Sequence, residues 1–269
     1  MIRFSFVTIC YNAAPVIGRT LDSILHQSYP GIEHIIIDGA SADDTLNIIR
    51  KYEDDNREAD NEHTVVVVSE PDKGIYDAMN KGLRMATGDY VCFMNAGDCL
   101  HTEDTVEQIV AAASLDADGA DESLLPGVVY GDTVLVDDEG HYLGPRHLSV
   151  PEKLTWRSFL HGMLVCHQSF YARRDIAQAT EYDLAYRYSA DVDWCIRVMK
   201  ECDARGLQLV NAGTVLTDYL KEGQTTLHHR DSLKERFRVM ARHYGTIPTT
   251  AMHCWFAVRA AARRITKKS

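Results

Sequence analysis

Ser5–Thr45 reads SFVTICYNAAPVIGRTLDSILHQSYPGIEHIIIDGASADDT, and its hydrophobic rhythm decides the architecture of the chain. Phe4 to Cys10 is an apolar run of strand length. The segment from Pro15 to about Gln27 opens with proline at a helix start and sets Ile17, Leu21, Ile24 and Leu25 on one face. His34 to Ile37 repeats the strand signal. Ser41, with Asp44 three residues on, makes a capping-box-like start for a helix carrying Leu46, Ile48 and Ile49.

The pattern continues outward. Thr64 to Val68 is a third, β-branched strand, Ile75 to Ala86 reads as a helix stopped at Gly88, Tyr90 to Met94 is a fourth buried strand, and Thr102 starts another helix. Four βα units in succession predict a Rossmann-like parallel sheet with helices on both faces, an α/β fold. After Leu125 the rhythm changes. Val128 to Val136, followed by the turn Asp137 to Gly140, predicts antiparallel strands forming a small acceptor-side layer. A helix from about Ala190 to Ala204 closed by Gly206, a strand at Leu207 to Leu216, and a last helix from about Thr249 to Ile265 complete the reading.

Composition narrows the function classes. The 269 residues are 45% hydrophobic and 25% charged, enough for one elaborated domain with its own core. The seven cysteines are odd in number, lack CxxC spacing and mostly sit in apolar runs, so a reducing, cytoplasmic compartment is expected. No stretch reaches the roughly 20 apolar residues that span a bilayer, and MIRFSFVTICYN lacks the marks of a signal peptide. The net charge of −11 argues against nucleic acid as a partner of the body. Much of it lies in two acidic runs, Glu53 to Glu62 and Asp116 to Glu122, read as solvated loops.

Ligands of doubly wound sheets sit beyond the carboxyl ends of the strands. Those ends carry Thr8, Tyr11 and Asn12 after the first strand, Asp38 after the second, Glu70 and Asp72 after the third, and Asn95 and Asp98 after the fourth. Ser41 and Thr102 read better as helix caps. Asp38 and Asp98 follow fully apolar strands, where a charge needs a partner, and are read as functional.

The ordered set of Ser5–Thr45, SEPDKGIYDAMNKGLRMATGDY, FMNAGD and SADVDWCIRV resembles the inverting glycosyltransferases of family 2, which have the GT-A fold, and most closely their bacterial polysaccharide branch. That resemblance implies transfer of a sugar from a nucleotide-diphosphate donor to a hydroxyl of a glycan or lipid-linked acceptor, with inversion. It implies nucleoside binding by Asp38, in a sequence Asp-Gly-Ala-Ser that departs from the family's paired acids. Asp72, Lys73 and Asn80 would line the donor, Lys73 offsetting diphosphate charge, while Lys81 reads better as a solvated surface lysine. Asp98 takes the place of the Asp-x-Asp ligand of Mg or Mn, with neutral Asn95 where the first acid usually stands. Asp191 would be the general base. Asp193 is its rival, and Trp194 and Tyr188 could raise the pKa of Asp191 by desolvation. His167 and Gln168 would face acceptor and donor sugar, and EGQTTLHHR would form a closing segment with His228 or His229 near the metal.

Residues 1–245 are therefore expected to form the transferase domain, with 1–100 as nucleotide half and 101–245 as acceptor half. Residues 246–269 are expected to form a basic amphipathic helix, either packed on the domain or lying on the inner face of a membrane. Two other readings remain. A sugar-nucleotide pyrophosphorylase would want a basic Gly-rich loop after the first strand, where TICYNAAPV has none. A non-catalytic nucleotide-sugar-binding module would fit Asn95 but not an intact pair of Asp98 and Asp191.

Overall fold

The computed structural model describes residues 1–115, 125–221 and 229–266. Four parallel strands, β1 (Phe4–Cys10), β2 (Ile32–Asp38), β3 (Thr64–Ser69) and β4 (Tyr90–Asn95), lie in the order β3-β2-β1-β4. The helices α1 (Ile17–Leu25), α2 (Thr45–Glu58) and α3 (Ile75–Met85) connect them. Every residue of β1 and β2 is buried, as continuous apolar strands require when helices cover both faces. Strand alternation sorts the side chains. Val7 and Ile9 pack with Ile35, Ile37, Met79 and Leu83 towards α3, whereas Cys10 and Ile36 meet Ile17, Leu21, Ile49 and Tyr52 of α1 and α2.

The second half extends the same sheet. β5 (Cys99–Leu100), β6 (Val128–Val136), β8 (Phe170–Arg173) and β9 (Leu209–Leu220) follow β4 in the order β8-β6-β9-β5, and β7 (Tyr142–Pro145) forms the expected hairpin with β6 across Asp137–Gly140. β8 runs antiparallel to β4 and β6. β9 instead lies parallel to β6, so this half is mixed, where only antiparallel strands were expected. β9 also outlasts its expected end at Leu216, because Thr217 and Asp218 pair with Leu100 and Cys99 of β5.

Helices α4 (Thr105–Ala112), α5 (Arg174–Ala179), α6 (Ala190–Arg205), α7 (His229–Tyr244) and α8 (Thr246–Thr266) complete the fold. α6 stops at Gly206, whose φ of 70° is the left-handed closure glycine favours. Its first turn is anchored by Trp194, fully buried, stacked on Tyr182 at 5.0 Å and edge-on to Phe93 at 5.3 Å.

Candidate active site

The register sets the strand ends side by side: Cys10 opposite Asp38, Asp38 opposite Ser69, and Ile9 opposite Asn95. Asp38 is wholly buried. Its carboxylate accepts hydrogen bonds from the Ser41 backbone N–H at 3.0 Å, the Ser41 hydroxyl, and the Ser69 hydroxyl at 2.6 Å. Ser41 is thus no helix cap: α2 starts four residues later, at Thr45. Its hydroxyl also accepts the Asn12 N–H at 2.7 Å, and Asn12 Oδ1 accepts the Ala42 N–H at 2.9 Å. Asn12 and Ala40 both adopt left-handed φ, 47° and 61°, a conformation that costs an alanine about 1 kcal/mol or more and needs such a network to hold it.

These bonds shape a mouth. Tyr11 stands 65% exposed beside Gly39, and a Cβ on Gly39 would lie 2.7 Å from Asp72 Oδ2 and 3.3 Å from the Tyr11 ring. An aromatic face, an open glycine backbone and a carboxylate share one rim. Asp72 is fixed there by accepting the Gly74 N–H at 2.7 Å, and Lys73 is exposed next to it. Lys81 is a structural cation, paired with Glu70 at 2.9 Å. Two expected donor ligands do not reach this rim. Thr8 is buried, its hydroxyl 2.8 Å from His34 Nε2, and His34 in turn bonds the Tyr52 hydroxyl at 2.7 Å. Asn80 is also buried, its amide exchanging hydrogen bonds of 2.9 and 2.8 Å with the Tyr182 backbone.

At the end of β4 the chain turns through Gly97, φ 101°, where a Cβ would strike Leu220 at 2.6 Å. The turn buries Asp98. One of its oxygens accepts the Gln168 amide N–H at 2.8 Å and the other the Leu220 N–H at 2.9 Å. Burial outweighs those bonds and pushes its pKa up to about 6. Nearby in the chain, the Asn95 side-chain carbonyl is buried with no hydrogen-bond partner.

His167, adjacent to Gln168 in a short 3-10 turn, points the other way. Its Nδ1 lies 3.6 Å from Asp191 Oδ2, and its Nε2 is buried without a partner. Tyr76 donates to the second oxygen of Asp191 at 3.3 Å. Burial pushes the Asp191 carboxyl up, but His167 and the Arg236 charge outweigh it and hold the pKa below the ordinary value. The net upward shift expected from desolvation by Trp194 and Tyr188 is not reached, because His167 and Arg236 outweigh burial, while the Trp194 ring itself packs against Tyr182, Phe93 and Phe170.

The rival Asp193 is fully buried and occupied, by Arg197 at 2.6 Å and His243 at 2.8 Å. Glu235 of α7 accepts the consecutive N–H groups of Arg187, Tyr188 and Ser189 at 2.9, 2.5 and 2.7 Å, tying down the chain that enters α6. Tyr76 and Glu235 are absent from the expected set. Tyr76 was in view in the GIYDAMNKG run; Glu235 carries no local signal. Residues 222–228, with His228, lie outside the described residues.

Among the described residues no three His, Cys, Asp or Glu converge as metal ligands. The position nevertheless suits a hard cation: Asn95 offers a buried carbonyl oxygen without a hydrogen-bond partner, and Asp98 a carboxylate whose charge burial disfavours.

Comparison with known proteins fits this geometry. Residues 5–179 match the family profile "Glycosyl transferase family 2". A PGL/p-HBAD biosynthesis glycosyltransferase of Mycobacterium tuberculosis (strain ATCC 25177 / H37Ra) is 30% identical over 195 residues, 72% of this chain and 68% of its own. The amylovoran biosynthesis glycosyltransferase AmsB of Erwinia amylovora is 29% identical over 221 residues, 81% and 69% of the two chains. Among solved structures, S. aureus TarS 1-349 in complex with UDP-GlcNAc superposes with a TM-score of 0.67 at 16% identity, over 89% of this chain and 66% of that one. At that identity the likeness establishes the GT-A fold.

Proposed function

The chain belongs to glycosyl transferase family 2, and on that premise we propose that it moves a hexose from a nucleotide-diphosphate sugar to a hydroxyl of a glycan or lipid-linked acceptor by single displacement with inversion. The product would serve cell-surface polysaccharide or glycolipid assembly. One observation carries the reading. The consecutive side chains His167 and Gln168 reach in opposite directions, to Asp191 at 3.6 Å and Asp98 at 2.8 Å, so a single turn of chain links the two acids.

The roles follow from the environments. Tyr11 stacks the base, while the Asp72 carboxylate beside Gly39 accepts from base or ribose. Asp38 acts indirectly, by holding the loops that present Tyr11 and Gly39. Asn95 and Asp98 would hold Mg or Mn, which when bound offsets diphosphate charge as the leaving group departs. Asp191, kept ionised by His167 and Arg236 and oriented by Tyr76, takes the proton of the attacking hydroxyl. His167 Nε2, buried and unpaired, is positioned to bond a hydroxyl of sugar or acceptor. With a lipid-linked acceptor, the transferase works in the cytoplasm at the inner face of the membrane.

The test is binding and slow hydrolysis of UDP-, GDP- and dTDP-sugars with Mn, with Mg and with chelator, read by calorimetry and released nucleotide. Metal-dependent binding of one donor supports the reading and names the sugar. Absence of binding by every donor under every condition overturns it in favour of a module without transferase activity.

A further inference from the structure

α8 is apolar on two opposite sides. Thr249, Met252, His253 and Phe256 turn towards the domain: Thr249 is fully buried, and His253 meets Phe237 of α7 at 5.1 Å and Phe256 at 5.7 Å. On the opposite face, at helical spacing, stand Ile247, Ala251, Cys254, Trp255 and Val258, all exposed. Ile247 is 85%, Trp255 56% and Val258 60% accessible, the largest run of exposed apolar side chains on one described element. A helix apolar on two opposite faces needs a second apolar environment for its outer one.

Charge says what that environment is. From Arg242 onward the sequence holds six of the 28 Lys and Arg and none of the 39 acids, leaving −17 on residues 1–241 against +6 on 242–269. An acidic body is repelled by an anionic surface, so attraction is confined to this end. Among the described residues no helix is long and apolar enough to cross a membrane. A tryptophan-bearing stripe next to a purely basic segment matches the interface of an anionic bilayer, with the helix lying in the plane.

We propose that the outer face of α8, through Ile247, Trp255 and Val258, docks this protein on an anionic lipid surface, with the basic C-terminal segment supplying the electrostatic attraction. This deepens the membrane-side part of the function proposed above and rests on it only for the acceptor; the surface itself stands on exposure and charge.

The full chain is sedimented with vesicles of phosphatidylcholine containing phosphatidylglycerol and with vesicles of phosphatidylcholine alone, at low and high salt. Sedimentation with the anionic vesicles only, released by salt, is expected. Trp255→Ser combined with Val258→Ser lowers the partition by about tenfold or more through lost apolar burial. Arg263→Gln combined with Arg264→Gln lowers it by at least about tenfold, about fivefold for each cation. The chain staying in solution with both vesicles, or binding both equally, overturns the proposal. So does a dimer in light scattering that the Trp255/Val258 double variant dissociates, which would assign the stripe to a second copy. Release of nucleotide from a soluble donor is measured in parallel. It is unchanged in all variants if only docking is lost, so failure of docking is distinguishable from failure of the transferase reading.

Discussion

Replacing Asp98 by Asn should stabilise the protein while abolishing metal-dependent donor binding, and the pH dependence of the gain is fixed in advance. The carboxyl titrates near 6 in the folded chain because burial disfavours its charge, against about 3.9 in the unfolded chain. A shift of about 2 units is worth about 3 kcal/mol. Its sign is unfavourable to folding. The folded state keeps the proton to higher pH, so stability falls as pH rises from about 4 through about 6 and the full penalty is present above that.

Asn carries no such charge, and its geometry fits: the amide oxygen can accept the Leu220 N–H while the amide nitrogen faces Gln168, whose own amide turns to accept it. In chelator, Asp98→Asn should melt above the parent by roughly 6–10 °C at pH 8, from about 3 kcal/mol in a domain of this size. The gap should shrink to about 1–2 °C at pH 4. A gap that is independent of pH, or a variant less stable at pH 8, refutes the assignment of Asp98 as an uncompensated buried carboxylate. Metal-dependent donor binding surviving in the variant refutes its role as the cation ligand.

Asp191→Asn should leave donor binding within about twofold of the parent and abolish transfer; unchanged transfer would remove Asp191 as the base. Asp193→Ala strands Arg197 and His243 and should cost about 3–5 kcal/mol in denaturant unfolding, with kcat per folded molecule retained. Tyr11→Ala should weaken donor binding by about tenfold, from a base-stacking loss of about 1–3 kcal/mol, without moving Tm. Asp38→Ala should lower donor affinity and Tm together, by about 2–4 kcal/mol for the stranded Ser41 and Ser69 donors, whereas a loss of affinity at constant Tm would indicate direct contact.

The first four strands were legible because each is a short apolar run too hydrophobic for a one-sided sheet, and the register then places the strand ends together without further information. The polar residues at those ends were less legible. Thr8 looked like a ligand at a strand end, yet strand alternation puts it on the side of His34 and α2, where it completes a buried bond. Asn80 shares a helical face with Tyr76, Met79 and Leu83, all buried, and the i, i+3, i+4, i+7 spacing already marked that face as inward. The order in the second half was illegible for a different reason. β6 and β9 are 81 residues apart at their first paired positions, Val128 and Leu209 being joined across β7, β8 and two α-helices, and no local pattern encodes such pairing.

The same non-local pairing assembles the chemistry. Leu220, at the end of β9, supplies an N–H to Asp98; Gln168, just before β8, supplies the second. Asp98 can be buried with a raised pKa only because those two elements close over it. Asp191 is set differently, on a helix start tied from behind by Glu235 and flanked by His167 and Arg236, which favour its charge. In the proposed function, two carboxylates driven apart in pKa, Asp98 by burial and Asp191 by its cationic neighbours, would divide metal binding from proton transfer at neutral pH. Exchanging their environments would lose both functions: an Asp98 already neutralised by protein cations would have no call on a metal, and an Asp191 stripped of His167 would be protonated more readily where it must accept a proton. His167→Ala should therefore shift the acidic limb of the kcat/KM profile upward in pH, with metal-dependent donor binding retained through Asp98; an unmoved limb would show that Arg236 alone keeps Asp191 ionised.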